Sequence, residues 1–290
     1  MQEKQIALLG GDERYIEVAR TFARQGATVY ACGFSDISFT EKTVSHASLT
    51  SIPFPMIDAI ILPVLGTDDR GNIVTHFPSG DITLHEEILR QTKATCTIFS
   101  GLANDYLKNM CSHSKRTLVA YYELDEVAIL NAVPTAEATL QIAMEETDFT
   151  IHGATTLVTG FGRIGMTIAK LFHNVGANVI VTVRDHAQLA RAETFGMTTV
   201  PIDQLHTVID SCHICINTIP ALVITESLLH KMNKETVMID VASRPGGIDF
   251  HSAEKLNIKA IHALALPGKV APKSAGAIIA KTIRKYMNKT

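Results

Sequence analysis

The chain has 290 residues, 46% hydrophobic and 19% charged, which excludes a disordered protein and leaves room for two domains of ordinary size. Its net charge of −3 speaks against a nucleic-acid or anionic-membrane surface. No apolar run approaches the ~20 residues of a membrane span, and the N-terminus lacks a signal-peptide layout, so a cytoplasmic protein is expected.

Gln5 to Leu9 reads as a buried strand ending in Gly10-Gly11-Asp12-Glu13-Arg14. A helix follows, with Ile16, Ala19, Phe22 and Ala23 on one face and Gly26 as its stop, and Thr28 to Cys32 gives the second strand. This opening lacks a third glycine at the dinucleotide spacing. Arg14 is a candidate substrate-carboxylate ligand, the alternative being a solvated residue in the first helical turn. Residues 35–56 are read as loops with one weak element. Ala59 to Leu62 is a strand, and the polar loop after it, with Asp68, is either a ligand loop or a hairpin turn at residues 69–72. A helix over 83–91, a strand over 95–99, the loop from Ser100 to Asn104 and a strand over 117–120 complete an N-terminal α/β domain, residues 1–130.

Tyr121 to Met144 is helical in pattern and expected to break at Pro134, so that a second helix starts at Thr135 and runs to Glu146. Residues 131–150 are the expected connector. Thr135 and Glu137 would then sit at a helix N-terminus, which suits an anionic substrate. Plain capping and a solvated glutamate are the alternative.

Residues 151–290 form the second domain. Thr155 to Thr159 is a β-branched and apolar strand, followed by Gly160, Gly162 and Gly165 as G-x-G-x-x-G and by a helix. Gly160 makes the turn, Gly162 admits a pyrophosphate and Gly165 lets helix and strand pack closely. Phe161, Arg163 and Ile164 complete the phosphate turn at the helix N-terminus. The next strand, Asn178 to Val183, ends at Arg184 instead of an acidic residue, which suits the 2′-phosphate of NADP. Asp185 is the ribose ligand if the register shifts by one. Strands follow at 198–200, 213–216, 236–241 and 259–265. Their end loops carry Asn217, Thr218 and Pro220, then Ala242 and Arg244, then Pro267, Lys269, Lys273 and Ser274 before a last helix. The fold is a doubly wound Rossmann sheet with a cleft toward the first domain.

The basic run Lys281, Arg284, Lys285 and Lys289 is read as completing that helix's dipole. The five cysteines, Cys32, Cys96, Cys111, Cys212 and Cys215, are read as free buried thiols. Cys212 and Cys215 lie in a strand pattern where residues three apart face opposite sides, and no second pair completes a zinc site. No metal is expected.

These motifs resemble the dipicolinate synthase A-subunit family along essentially the whole chain. The resemblance rests on Gly160-Phe-Gly-Arg-Ile-Gly-Met-Thr, Asn217-Thr-Ile-Pro-Ala, Ala242-Ser-Arg-Pro-Gly-Gly and Leu266-Pro-Gly-Lys-Val-Ala-Pro-Lys-Ser-Ala-Gly. In the first domain it rests on Gly10-Gly-Asp, Gly66-Thr-Asp-Asp-Arg-Gly-Asn, Ser100-Gly-Leu-Ala-Asn and Pro134-Thr-Ala-Glu. The resemblance implies an enzyme in the mother cell of a spore-forming bacterium, on a branch of the lysine pathway. It would take hydroxylated tetrahydrodipicolinate through loss of water and NADP-linked oxidation to pyridine-2,6-dicarboxylate. It also implies a partner, the flavoprotein-like B-subunit of dipicolinate synthase, and homo-oligomers are expected besides.

A dicarboxylate needs cations or N–H groups at two ends. Arg14, Arg244, Lys269 and Lys273 are the candidates, with Ser100, Thr135 and Ser274 as hydroxyl donors. Glu137 or Asp68 is the candidate base, with His262 behind them. Glu137, Arg244 and Lys269 form the expected catalytic set. Other two-domain dehydrogenases of the folate or 2-hydroxy acid type and a non-catalytic NADP-binding regulatory protein are the competing readings.

Overall fold

Four consecutive buried side chains make Gln5–Leu9 (β1) an inner strand of a parallel sheet, where both faces are covered. The computed structural model describes Met1 and residues 3–288, so Lys289 of the basic run lies outside the described residues. Asp12 caps the following helix, Glu13–Arg24 (α1), and accepts the backbone N–H of Arg14. Thr28–Cys32 (β2), Val44–His46 (β3) and Ala59–Ile61 (β4) come next, then helix Glu86–Gln91 (α2). Thr97–Ser100 (β5), helix Asp105–His113 (α3) and Thr117–Ala120 (β6) finish a six-stranded sheet ordered β3-β2-β1-β4-β5-β6. Every pairing in it is parallel.

Two elements here carry little sequence signal. β3 is a three-residue edge strand with no buried side chain, so it shows no apolar run. α3 starts where the Asn104 side chain accepts from Leu107 N and buries only Leu107, Met110 and Cys111.

Asp125–Glu146 (α4) is one continuous helix with Pro134 inside it, not two helices split at the proline. Proline removes one N–H from the ladder. Threonine hydroxyls work in the same stretch, because Thr135 Oγ1 donates to Asn131 O at 2.8 Å and Thr139 Oγ1 to Thr135 O at 2.7 Å. α4 also amends the membrane reading. By length and hydropathy it reaches the range of a span, yet half of that window is packed inside the protein, as in a core helix.

The second unit runs from Asn131 to Val270. Thr155–Thr159 (β7), Arg163–Asn174 (α5), Asn178–Val183 (β8), His186–Thr194 (α6) and Thr198–Pro201 (β9) form one half. Ile214–Asn217 (β10), Glu226–Leu229 (α7), Val237–Asp240 (β11), Phe250–Lys255 (α8), Ala260–His262 (β12) and Leu266–Val270 (α9) form the other. The sheet order β12-β11-β10-β7-β8-β9, all parallel, is the doubly wound arrangement. Apolar residues cover both faces, with Val158, Ile168, Phe172, Ile216 and Ile239 on one and Leu157, Cys215, Met238 and Ile224 on the other.

The last helix, Pro272–Met287 (α10), corrects the expected boundary of residues 151–290. The segment from Ala271 onward belongs with Met1–Leu130. Ile279, Ala280, Ile283 and Met287 pack with Tyr15, Val18, Ala19 and Phe22 of α1. Gly276 permits the approach, since a side-chain carbon there would overlap the Arg14 carbonyl oxygen.

Candidate functional site

The glycine turn after β7 places its three glycines in three different surroundings. Gly160 takes φ +90° and donates its N–H to Thr182 Oγ1 at 2.8 Å. A Cβ on Gly165 would overlap the Gly160 carbonyl oxygen, so α5 leaves the strand without room for one. Gly162 caps α5, and a Cβ there would meet nothing within 4 Å. Within the protein alone nothing requires that glycine. An open helix N-terminus at the carboxyl end of a parallel sheet fits the pyrophosphate of a dinucleotide. Phe161 is buried under the turn, while Arg163 is exposed and Ile164 half-buried at the start of α5.

At the end of β8, Arg184 is exposed and its N–H donates to Gln188 Oε1 at 3.1 Å. Asp185 is occupied differently. It caps α6, its Oδ1 accepting Gln188 N at 2.8 Å.

Asn217 is buried at the end of β10 and knits three strands together. Its Oδ1 accepts from Thr159 Oγ1 at 2.6 Å, and its Nδ2 donates to Ile219 O at 2.9 Å and to Asp240 Oδ1 at 2.8 Å. Thr218 Oγ1 donates to Thr159 O and lies against Gly160 and Gly165. The turn after β11 buries Ala242, Gly246 and Gly247 and exposes Ser243, Arg244 and Pro245, with a cis Arg244–Pro245 bond. Asp240 and Thr159 are not among the residues that sequence reasoning singles out. A signal for Asp240 exists: β10 and β11 are apolar runs whose last residue is in each case polar, whereas Thr159 ends a strand that already carries two other threonines.

The other expected residues fall out as follows. Arg14 is buried, not a solvated residue of the first helical turn, and its guanidinium is committed within the protein. Its Nε donates to Asp12 Oδ1 at 2.9 Å and its Nη1 to Tyr122 Oη at 2.9 Å. Burial alone would lower its pKa and raise that of Asp12. The pairing overrides both, holding Arg14 above the ordinary arginine value and Asp12 below the ordinary aspartate value. Arg14 is therefore engaged as an ion-pair partner within the protein. Ser100 is buried and donates to Leu102 O at 2.5 Å. Thr135 lies mid-helix with its hydroxyl bound to the Asn131 carbonyl, not at a helix N-terminus. Glu137 faces outward from α4 beside Leu140, Met144 and Leu171. Asp68 is exposed and closes its own turn, accepting Arg70 N and Asn72 N at 2.8 Å and Asn72 Nδ2 at 2.8 Å; these bonds, the Asn72 side chain first, lower its pKa. Pro220 is exposed and Pro267 half-buried; Lys269 is exposed in α9, and Lys273 and Ser274 are exposed in the first turn of α10.

The cysteines are all buried and free. Burial pushes Cys96 up to about 11 and Cys111 and Cys212 up to about 12. Cys212 and Cys215 join one apolar cluster instead of facing opposite sides, because Cys212 precedes β10 and escapes the strand alternation. Among the described residues no three His, Cys, Asp or Glu side chains gather to hold a metal ion.

Comparison with known proteins matches this geometry. Residues 5–122 fit the N-terminal domain of the dipicolinate synthase A-subunit, and residues 132–255 fit the NAD binding domain of D-isomer specific 2-hydroxyacid dehydrogenases. The dipicolinate synthase A-subunit of Bacillus subtilis is 43% identical over 282 residues, 97% of this chain and 95% of the relative. The chain belongs to the dipicolinate synthase A-subunit family. Solved structures of that family agree. The one from Bacillus halodurans has TM-score 0.93 and 40% identity over 99% of this chain and 98% of its own. The one from Bacillus subtilis has TM-score 0.92 and 42% identity over 100% and 97%. In this member of the dipicolinate synthase family, the second unit is thus a nicotinamide-dinucleotide-binding domain of the dehydrogenase type.

Proposed function

We propose that the chain is the NADP-linked oxidoreductase of dipicolinate formation. It takes hydroxylated tetrahydrodipicolinate, through loss of water and removal of two hydrogens, to pyridine-2,6-dicarboxylate. The observation that carries this reading is the 43% identity to the Bacillus subtilis protein across nearly the whole of both chains, with the glycine turn intact. When bound, the nicotinamide supplies the acceptor for the hydride that leaves the ring carbon.

The chain's own residues then do the following. Gly160, Gly162 and Gly165 admit the pyrophosphate to the start of α5. Arg184 pairs the 2′-phosphate; the occupation of Asp185 by the α6 cap supports NADP over NAD. Arg244 binds a substrate carboxylate, its tip exposed on a turn whose two ends are buried. Of the three candidate proton acceptors, Asp68 is engaged by its own turn and Glu137 faces an outer apolar groove. His262 stands at the end of β12 in register with Asp240, its ring stacked 5.2 Å from that of Phe250, and it takes the ring proton.

The relatives are named as one component of a synthase, which implies a partner. We take that partner to be the B-subunit, and an NADP-binding protein whose chemistry is completed there is the second reading. The test is titration of the purified chain with NADPH and NADH, followed by substrate with NADP and with or without the partner. Dipicolinate absorbance without the partner supports a complete catalytic chain, and binding without turnover supports the second reading. Arg184→Ala is expected to weaken NADPH by about 10- to 100-fold, the worth of a hydrogen-bonded charge pair, while NADH changes little. Equal loss for both cofactors rejects the assignment of NADP.

A further inference from the structure

Across the carboxyl ends of four adjacent strands, Thr159, Asn217, Asp240 and His262 stand in one register. The first three form a hydrogen-bonded chain from Thr159 to Asn217 to Asp240. Asp240 is fully buried, and its carboxylate also accepts two backbone donors: Ala242 N reaches Oδ1 at 3.0 Å and Gly247 N reaches Oδ2 at 2.7 Å. Those two N–H groups lie at the two ends of the turn that displays Arg244. A Cβ on Gly246 would stand 2.7 Å from Asp240 Oδ2, so the turn closes over the carboxylate only with glycine there.

We propose that Asp240 is a positioning residue for substrate binding, acting through the 241–247 turn to hold Arg244 where a substrate carboxylate meets it. The proposal rests on the reading of Arg244 as that ligand. The chemistry requires a carboxylate at this position. Three donors converge on Asp240, from Asn217 Nδ2, Ala242 N and Gly247 N, and only an acceptor on both sides satisfies them. An asparagine of the same shape offers one oxygen and turns an NH2 group toward the remaining donor. One end of the turn is then released and its N–H left unpaired. Arg244 itself makes no part of this network and keeps its charge. Only its placement is lost, and misplacement by about 1 Å is enough for about a 10²-fold loss.

The experiment is a double-mutant cycle on the full chain, with the partner protein supplied. Asp240→Asn, Arg244→Ala and the double variant are compared for KM and kcat with the hydroxylated tetrahydropyridine dicarboxylate, for NADPH affinity and for Tm. Asp240→Asn is expected to raise KM for the dicarboxylate by about 10- to 100-fold, with a much smaller change in NADPH affinity. Because the two residues act as a unit, the double variant is expected to be no worse than Arg244→Ala alone. Losses that multiply, an unchanged KM in Asp240→Asn, or NADPH affinity falling in step with KM would overturn the positioning role. A wild-type chain that binds NADPH but never uses the dicarboxylate overturns the underlying functional reading, and the positioning role with it. If Asp240→Asn does not fold, Gly246→Ala pushes on the same carboxylate from the turn side. It is expected to raise KM in the same way, and a normal KM there rejects the proposal.

Discussion

The two units share one topology and differ in what fills it. Each is a six-stranded parallel sheet in which the first strand lies at the switch point, with a glycine turn leading into a helix. In the first unit the chain itself closes over that turn. Gly11 N donates to Val74 O at 3.1 Å, His76 N donates to Gly11 O at 2.9 Å, and a Cβ on Gly10 would strike Ile73 and Val74. The strands there that match β7 and β10 end in apolar Leu9 and Ile61, while β5, the match of β11, ends in Ser100, whose hydroxyl is turned onto Leu102 O. In the second unit the turn is open at Gly162, and the corresponding strands end in Thr159, Asn217 and Asp240. Topology alone therefore does not make a cofactor site. What sets the second unit apart is the open glycine of its turn and the hydrogen-bonded chain of Thr159, Asn217 and Asp240.

That contrast breaks most sharply at Arg14. Removing one partner of a buried ion pair leaves the other uncompensated, so Arg14→Ala is expected to destabilise the protein by about 3–5 kcal/mol, with NADPH affinity of the folded fraction unchanged. The pair also makes a pH prediction. Asp12 is lowered in the folded protein, burial opposing and Arg14 outweighing it. Its contribution is therefore fully present above the unfolded value of about 3.9 and is lost as pH falls through the lower folded value. Acid unfolding below about pH 4 that is steeper in wild type than in Arg14→Ala checks the sign. Identical acid limbs would show that Asp12 draws no stability from the pair.

Gly165→Ala tests the other unit and should combine both readouts. The added carbon overlaps the backbone oxygen of Gly160, which cannot swing away as a side chain can. A loss of about 1–3 kcal/mol is expected, as for overpacking elsewhere, together with loss of NADPH binding, because α5 must move off the turn. Retained affinity with lowered Tm would uncouple helix packing from the cofactor site.

What the sequence makes legible here, and what it hides, follows from range. β7, Gly160, Gly162, Gly165 and Arg184 form a local pattern, and the apolar inner strands announce themselves by composition. β3 does not, since an edge strand of three residues with no buried side chain leaves no apolar mark. Pro134 reads locally as a break, but α4 runs through it, with Ala136, Ala138 and Ala143 beyond the proline packed into the core. Chain order assigns α10 to the second domain, whereas its partner is α1, at the other end of the sequence. Arg14 looks like a ligand because its partner Asp12, two residues earlier, shows its pairing only once both are buried. Asp240 shows in the sequence only as the polar last residue of an apolar strand. Its three donors come from Asn217, Ala242 and Gly247, and only the folded sheet brings them to one carboxylate.

The smallest expected change in stability is the most informative about function. Gly162 has φ −87° and ψ −158°, a conformation open to any residue, and nothing within 4 Å of the missing Cβ. Gly162→Ala should therefore leave the fold intact and even raise stability by about 0.4–1 kcal/mol, since alanine restricts the unfolded chain. NADPH affinity should nonetheless fall, because the methyl group enters the space that the pyrophosphate must approach. A glycine whose replacement stabilises the protein but weakens the ligand is kept for the ligand. If affinity were unchanged, the open turn would be no phosphate site, and the difference between the two units would shrink to a difference in packing. If stability fell as it does for Gly165, the space at Gly162 would be closed in solution, and the second unit would resemble the first.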